Sequence, residues 1–256
     1  MSYFGSTEWY QRVSAGQVPG HSIVHKFGAG ELTTTFAPVT NSGFYRTPTA
    51  VVTLEVVSSS ANDTAAGTGA QQVTITGLNI SYDEVDVVVE LNGTTAVTLG
   101  TDLLRVYRWR VSRTGSYGSQ TVGAHDGSLT LRVSGGGDTW ATLTDTPFPT
   151  GQSQIGCYSL PRNKKAYLLS KNIFVDSTKS ADLYFFKREN ADDVTTPYTG
   201  IIKLVEREVG ITGGYALKTI SPKYLGVGPM DLGFMGRLSA GTGECSIEFE
   251  LLIVDL

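Results

Sequence analysis

The residues of this chain that could do chemistry are three histidines, a scatter of carboxylates and one arginine-rich strand. His21 and His25 stand four apart, which puts both rings on one side of a helix or of an extended segment. A metal pair there needs further ligands, and Glu31 is the nearest one in sequence. Gly20, Gly28 and Gly30 bound the stretch tightly, so ordinary polar or packed histidines are the simpler reading. Gly-x-Ser-x-Gly, the elbow of a serine nucleophile, is absent. Glycoside hydrolysis needs two carboxylates across a cleft. Glu84, Asp86 and Glu90 share one strand face and Asp192 and Asp193 sit in a loop, as on any solvated β-surface. Asn62, Asp63, Asp192, Asp193 and Asp231 offer calcium ligands without the twelve-residue loop pattern. Gly210 to Gly214 (GITGG) reads as a turn and not as a phosphate loop. These residues assign no catalytic group, no metal and no cofactor, and a non-enzymatic role is expected.

Arg105, Arg108, Arg110 and Arg113 interleave with Tyr107 and Trp109. Basic and aromatic residues in alternation suit single-stranded nucleic acid. The chain carries 20 Lys and Arg against 24 Asp and Glu, a net charge of −4, which argues against a general phosphate binder. A subunit interface is the preferred reading, because Arg, Tyr and Trp anchor interfaces. Tyr3, Phe4, Trp9 and Tyr10, in an aromatic N-terminal segment, are further interface candidates. Tyr117, Trp140 and Tyr198 are candidates for stacking on sugar rings from sandwich loops.

The elements that must position these groups read as strands. Val51 to Val57 is a β-branched apolar run, the mark of a buried strand. Ser58 to Ala70 is small and polar and reads as loop. Gln72 to Thr76 alternates, and Val85, Val87, Val89 and Leu91 form one face of the next strand. Asn92-Gly93 predicts a tight hairpin whose return runs through Thr94 to Leu99. In Leu103 to Val111, Tyr107 and Trp109 face one way and Arg108 and Arg110 the other. Further strands are expected at Ser22 to Phe27, Ser128 to Val133, Ala166 to Leu169, Ala181 to Lys187 and Ile201 to Glu208, where a short helix stays open. Cys245, Ile247, Phe249, Leu251 and Ile253 make one face of the last strand.

This pattern predicts an all-β protein of antiparallel sandwiches or jelly rolls. The expected divisions are an extended arm with first strands over 1–49, a sandwich over 50–148 and a second over 149–256. Pro147, Pro149 and Gly151 mark the later boundary. Only 17% of the 256 residues are charged and 30 are glycine, which suits a turn-rich protein or one that covers its surface by assembling. Cys157 and Cys245 read as two buried thiols. Met1 to Gln11 lacks the basic and apolar regions of a secretion signal, and no apolar run nears membrane-spanning length.

One block carries a family resemblance. Val57 to Ala70 (VSSSANDTAAGTGA), Val73 to Leu78 (VTITGL), Leu91 to Val97 (LNGTTAV) and Leu104-Arg105-Val106 together resemble a segment recurrent in structural proteins of tailed bacteriophages. Val18 to Ser22, Lys26 to Gly28, Tyr158 to Pro161 and Lys165 to Leu168 resemble flanking segments of the same group. Arg162-Asn163 departs from that group's Ala-Gly turn, so a different turn is expected there. The resemblance implies a β-sandwich virion component with no catalytic residues, assembled in the host cytoplasm. Closed symmetry is the default for such subunits, and the low charge content, the aromatic arm and the Arg/Tyr/Trp strand motivate a homo-oligomer, a trimer or ring, that decorates the capsid or belongs to the neck or tail. Its partners would be major capsid, portal or tail proteins, with no membrane and no specific nucleic acid. A carbohydrate-binding tail or baseplate module for host attachment is the alternative, and a glycosidase or esterase the third reading.

Overall fold

The computed structural model describes residues 6–119 and 122–256. The chain opens with α1 (Ser6–Ser14), β1 (His21–Leu32) and β2 (Ala37–Pro38). It continues through β3 (Leu54–Ser58), β4 (Ala70–Leu78), β5 (Glu84–Glu90), β6 (Val97–Thr98), β7 (Arg105–Thr114), β8 (Leu129–Val133) and β9 (Thr139–Leu143). It ends with β10 (Cys157–Leu160), β11 (Lys164–Val175), β12 (Ala181–Glu189), β13 (Ile202–Ile211), β14 (Gly214–Val227), β15 (Met230–Leu238) and β16 (Gly243–Asp255). The described strands pair antiparallel throughout. They form four small sheets instead of the two of a jelly roll.

Two sheets, β1-β16-β11-β14 and β10-β15-β12-β13 with β2 beside β15, pack face to face. Phe185, Phe234 and Phe249 meet between them, with ring centroids 5.0 to 5.8 Å apart. Lys171 of β11, buried, ties them further by donating to Glu206 and to Glu208 of β13, the latter at 2.6 Å. The other two sheets, β6-β3-β8-β9 and β5-β4-β7, enclose Leu54, Val56, Val73, Ile75, Trp109, Leu129 and Leu131. The alternation of β5 holds: Val87 and Val89 are buried, while Glu84, Asp86, Val88 and Glu90 are exposed.

Among the described residues, 6–38 form a helix and two strands and not an extended arm. Glu8 in the first turn of α1 and Arg12 in its last complement the helix dipole. Gly16, at φ +70°, ends the helix as Gln17 N donates to Arg12 O. β1 then runs twelve residues against β16, so residues 21–38 share sheets with residues 157–255. The predicted hairpin at Asn92-Gly93 also resolves differently. Gly93 takes φ +60°, but the chain crosses to β3 and β6 pairs there, Val97 opposite Val56. Leu91 and Leu99 are both buried by that crossing. At the turn before β11, Asn163 takes φ +59°, a conformation Asn tolerates better than most residues.

The small polar loop between β3 and β4 is organised by one buried carboxylate. Asp63 accepts from Ser58 Oγ at 2.6 Å and Gly127 N at 2.9 Å on one oxygen. Its other oxygen accepts from Ala70 N at 2.7 Å and Asp126 N at 2.8 Å. Removing it strands three buried donors and the half-buried Asp126 N–H, each buried one costing about 1–3 kcal/mol. Asp63→Ala is therefore expected to lower unfolding free energy by at least ~3 kcal/mol in urea titration. An effect within about 0.5 kcal/mol would mean that water replaces the carboxylate.

Candidate functional site: the arginine strand and the cleft beside it

β7 splits its residues by parity. Arg105, Tyr107 and Trp109 point inward and are buried, Trp109 completely. Arg105 meets Asp231 of β15 in a two-pronged pair, Nε to Oδ1 at 2.9 Å and Nη2 to Oδ2 at 3.2 Å. Its Nη1 donates to the carbonyls of Pro48 and Leu104, at 3.1 and 2.8 Å. Arg188 of β12 and Ser159 of β10 also donate to Asp231, and Tyr45 bonds Ser159 at 2.7 Å. Burial opposes ionisation of Asp231, but the charge and hydrogen bonds of Arg105, with Arg188 behind, outweigh it and hold the carboxyl below its usual range. The Tyr107 phenol donates to Glu84 Oε2 at 2.5 Å, and its ring meets Tyr158 at 4.8 Å. Burial, with Tyr158 and Glu84 adding to it, pushes that phenol far above its normal range. As interface anchors, then, Arg105, Tyr107 and Trp109 are corrected. They serve this chain's own core, as their odd-numbered parity requires.

Arg108 and Arg110 point outward and are exposed. They face β1, whose open edge is capped where Arg108 Nη2 donates to His25 O at 2.7 Å. A cavity of about 540 Å³ lies there, lined by His25, Lys26, Phe27, Arg108, Arg110, Gln152, Ser153 and Glu248. A neighbouring one of about 390 Å³ shares His25, Lys26, Arg108 and Arg110 and reaches Thr76, Glu84 and Asp86. Lys26 is buried at their common wall and donates to the Tyr107 carbonyl. Burial, with the Arg108 guanidinium adding to it, pulls its ammonium down to about 7.

The other candidates disperse. Tyr3 and Phe4 lie outside the described residues. Trp9 and Tyr10 are half-buried in α1, with Trp9 edge-on to Tyr10 at 5.1 Å and to His21 at 5.5 Å. Trp140 is buried in β9 and unavailable to a sugar, because the strand places it against Leu129, Leu131 and their neighbours. Tyr117 is 94% exposed. Tyr198 is exposed beside a cavity of about 310 Å³ with Asn190 and Asp193. Lys26 and Glu248 are not among the sequence candidates; β1 also carries His21, Ser22, His25 and Glu31, so no local pattern singles out its lysine as buried. Cys157 and Cys245 are free, buried thiols, and burial pushes Cys245 up to about 12.

Two predictions follow from the buried charges. Asp231 has a depressed folded value, so its contribution to stability is present above the unfolded carboxyl range and lost as pH falls below about 4. Asp231→Asn is expected to cost about 3–5 kcal/mol at neutral pH, because it leaves Arg105 buried without its counter-ion. Arg105→Met with Asp231→Leu should cost much less than the two single changes summed, a coupling measured by urea titration. Lys26 has the opposite sign. Its folded value lies below its unfolded one, so burial costs stability in full below about pH 7 and less as pH climbs toward 10.4. Between about pH 6.5 and 9 the wild type should gain roughly 2 kcal/mol relative to Lys26→Met. A constant difference would show that the amine titrates normally.

No protein-family model matches the sequence, and no curated protein matches it. Among solved structures, the chain is similar to infectious bursal disease virus Gt strain at 14% identity and a TM-score of 0.28, covering 92% of this chain and 74% of that one. Its likeness to the infectious bursal disease virus VP2 subviral particle has 12% identity and a TM-score of 0.25, covering 93% and 73%. At that level of superposition the likeness assigns neither a fold nor a role to this chain.

Proposed function

We propose that this chain is a non-enzymatic structural subunit of a tailed-phage virion, one that works by assembling with copies of itself on or beside the capsid. The observation that carries the assembly half of this reading is β13. Ile201, Ile202, Leu204 and Val209 are each more than half exposed, and so is Tyr224 on β14. Lys223 of β14 donates to Val205 O at 3.3 Å, which brings the two strands into one surface. Soluble monomers seldom expose apolar side chains in such a run unless something covers them. The virion half rests on the resemblance of the Val57 to Val97 block to tailed-phage structural proteins.

The form of the contact follows from the strand. β13 is an edge strand, but its pairing with β12 shifts register at two points, between Ala181 and Leu183 and between Phe185 and Phe186. Bulges and the charges of Lys203, Glu206, Arg207 and Glu208 protect an edge from strand addition. Subunits therefore meet through side chains, packing β13 against a neighbour without extending the sheet. A trimer suits a decoration protein and a larger ring suits the neck or tail.

Native mass spectrometry tests the reading. The wild-type protein should run as a closed oligomer, and Ile202→Glu with Leu204→Glu should run as a folded monomer with an unchanged circular dichroism spectrum. A wild-type monomer, or an oligomer indifferent to these changes, would overturn the role of β13.

A further inference from the structure

The cleft between β1 and β7 gathers two guanidinium groups, of Arg108 and Arg110, that no carboxylate among the described residues pairs with. Lys26, Arg108 and Arg110 line its larger lobe beside the His25 ring, and among the described residues none of the three is in an ion pair. Arg108 spends one donor on a backbone carbonyl, Lys26 does the same, and the Arg110 guanidinium has no hydrogen-bond partner among the described residues. The one carboxylate in that lobe, Glu248, accepts from Asn172 Nδ2 at 3.2 Å. Elsewhere arginines commonly have a carboxylate partner, Arg113 with Glu90, Arg132 with Glu55, Arg162 with Asp192 and Arg237 with Asp182, while Arg207 lies over the Tyr184 ring. Like charges gathered in a concave, partly desolvated site repel until an anion enters, and the walls focus their field on it.

The rest of the lining narrows the class of anion. Phe27 gives a half-buried aromatic wall, and Gln152 and Ser153 add an amide and a hydroxyl. The smaller lobe, entered past the same Arg108 and Arg110, brings Asp86 and Glu84, acceptors for hydroxyl groups. A bare oxyanion would use only the guanidinium groups, and an acidic peptide would meet the carboxylates of the smaller lobe unfavourably. A ring with hydroxyls and one anionic substituent uses both lobes. Their volumes, about 540 and 390 Å³, are those of small-ligand sites.

We propose that the cleft between β1 and β7 binds an acidic saccharide, its anionic group held by Arg108 and Arg110 and its hydroxyls by Gln152, Ser153 and Asp86. The shared chemistry is a sugar bearing a carboxylate, phosphate or sulfate. The site is separate from the apolar surface on β13, so it stands or falls independently of assembly.

The test is a glycan array carrying uronate, sialate, sugar-phosphate, sulfated and neutral saccharides, read with the full chain. Calorimetry on the best binder follows, with inorganic phosphate and a glutamate-rich peptide as comparison ligands. Acidic saccharides should be retained, with the neutral counterpart at least about tenfold weaker. Arg110→Gln should weaken binding by about tenfold at an unchanged melting temperature, since the side chain supports nothing else in the fold. Gln152→Ala should weaken it as well. An array without acidic binders, equal binding of the neutral sugar or an indifferent Arg110→Gln would overturn the site. Inorganic phosphate or the peptide binding as tightly as the sugar would overturn the saccharide assignment.

Discussion

The carboxylate of Asp231 joins the two halves of the molecule. In its own sheet it stands opposite Ser159 on one side and Arg188 on the other, and both reach it. Arg105 arrives from β7, in a different sheet. Burying a carboxylate and a guanidinium costs several kcal/mol, and only near-complete pairing offsets it. That makes the network a check on register. A slip of β15 by one residue would place Leu232 or Met230 against Arg105 and leave the guanidinium buried without a counter-ion. Apolar contacts tolerate such slips more readily, since one aliphatic side chain can stand in for another. The ionic contact contributes little net attraction, yet it penalises wrong dockings of the two halves heavily.

The same junction is packed as a core and not as a surface contact. Leu78, Tyr82, Leu104 and Tyr107, all from the strands and turns around β4, β5 and β7, share a cluster with Leu160, Phe185 and Phe234. In return, Cys157 and Phe186 join the cluster around Trp109. Tyr82 adds a hydrogen bond to the Ala191 carbonyl at 2.7 Å, and Lys26 reaches the Tyr107 carbonyl from β1. Sheets that exchange core side chains in both directions cannot rotate against each other without opening cavities. The cleft beside Arg108 is therefore preorganised. Its two arginines stand on a strand whose alternate residues are locked inside.

Parity explains what could be read from the sequence. The faces of β5, β7 and β16 were legible because strict alternation leaves one consistent assignment, and the burial of Tyr107 and Trp109 follows from it. The burial of Arg105 was legible too, since it shares their parity, but arginine's frequency at interfaces pointed the other way. Its partner was not legible, because Asp231 lies 126 residues on, and no local pattern marks a carboxylate that will be buried. β14 and β15 carry Gly226, Gly233, Gly236 and Pro222, which weaken the strand pattern; tertiary pairing with β11 and β12 overrides it. The path after Asn92-Gly93 was misread because turn chemistry predicts a reversal without naming the strand that receives it. The cleft was hidden for the same reason as the ion pair: β1, β7 and residues 152–153 meet only in the fold.

The two surfaces that remain open differ in kind, and that difference bears on how they are used. β13 exposes aliphatic side chains on a strand whose charges are tied to Lys171, Lys223 and Glu189. An apolar contact there loses nothing to salt, and burial of its area is favoured whenever subunits are concentrated. The cleft is ionic, with guanidinium groups facing solvent, so its hold on an anion weakens as ionic strength shortens the reach of charge. Contacts made through β13 would persist through changing ionic conditions, whereas a ligand held in the cleft would exchange. Because the two lie on different sheets, subunits assembled through β13 as proposed would leave the cleft of β1 and β7 open.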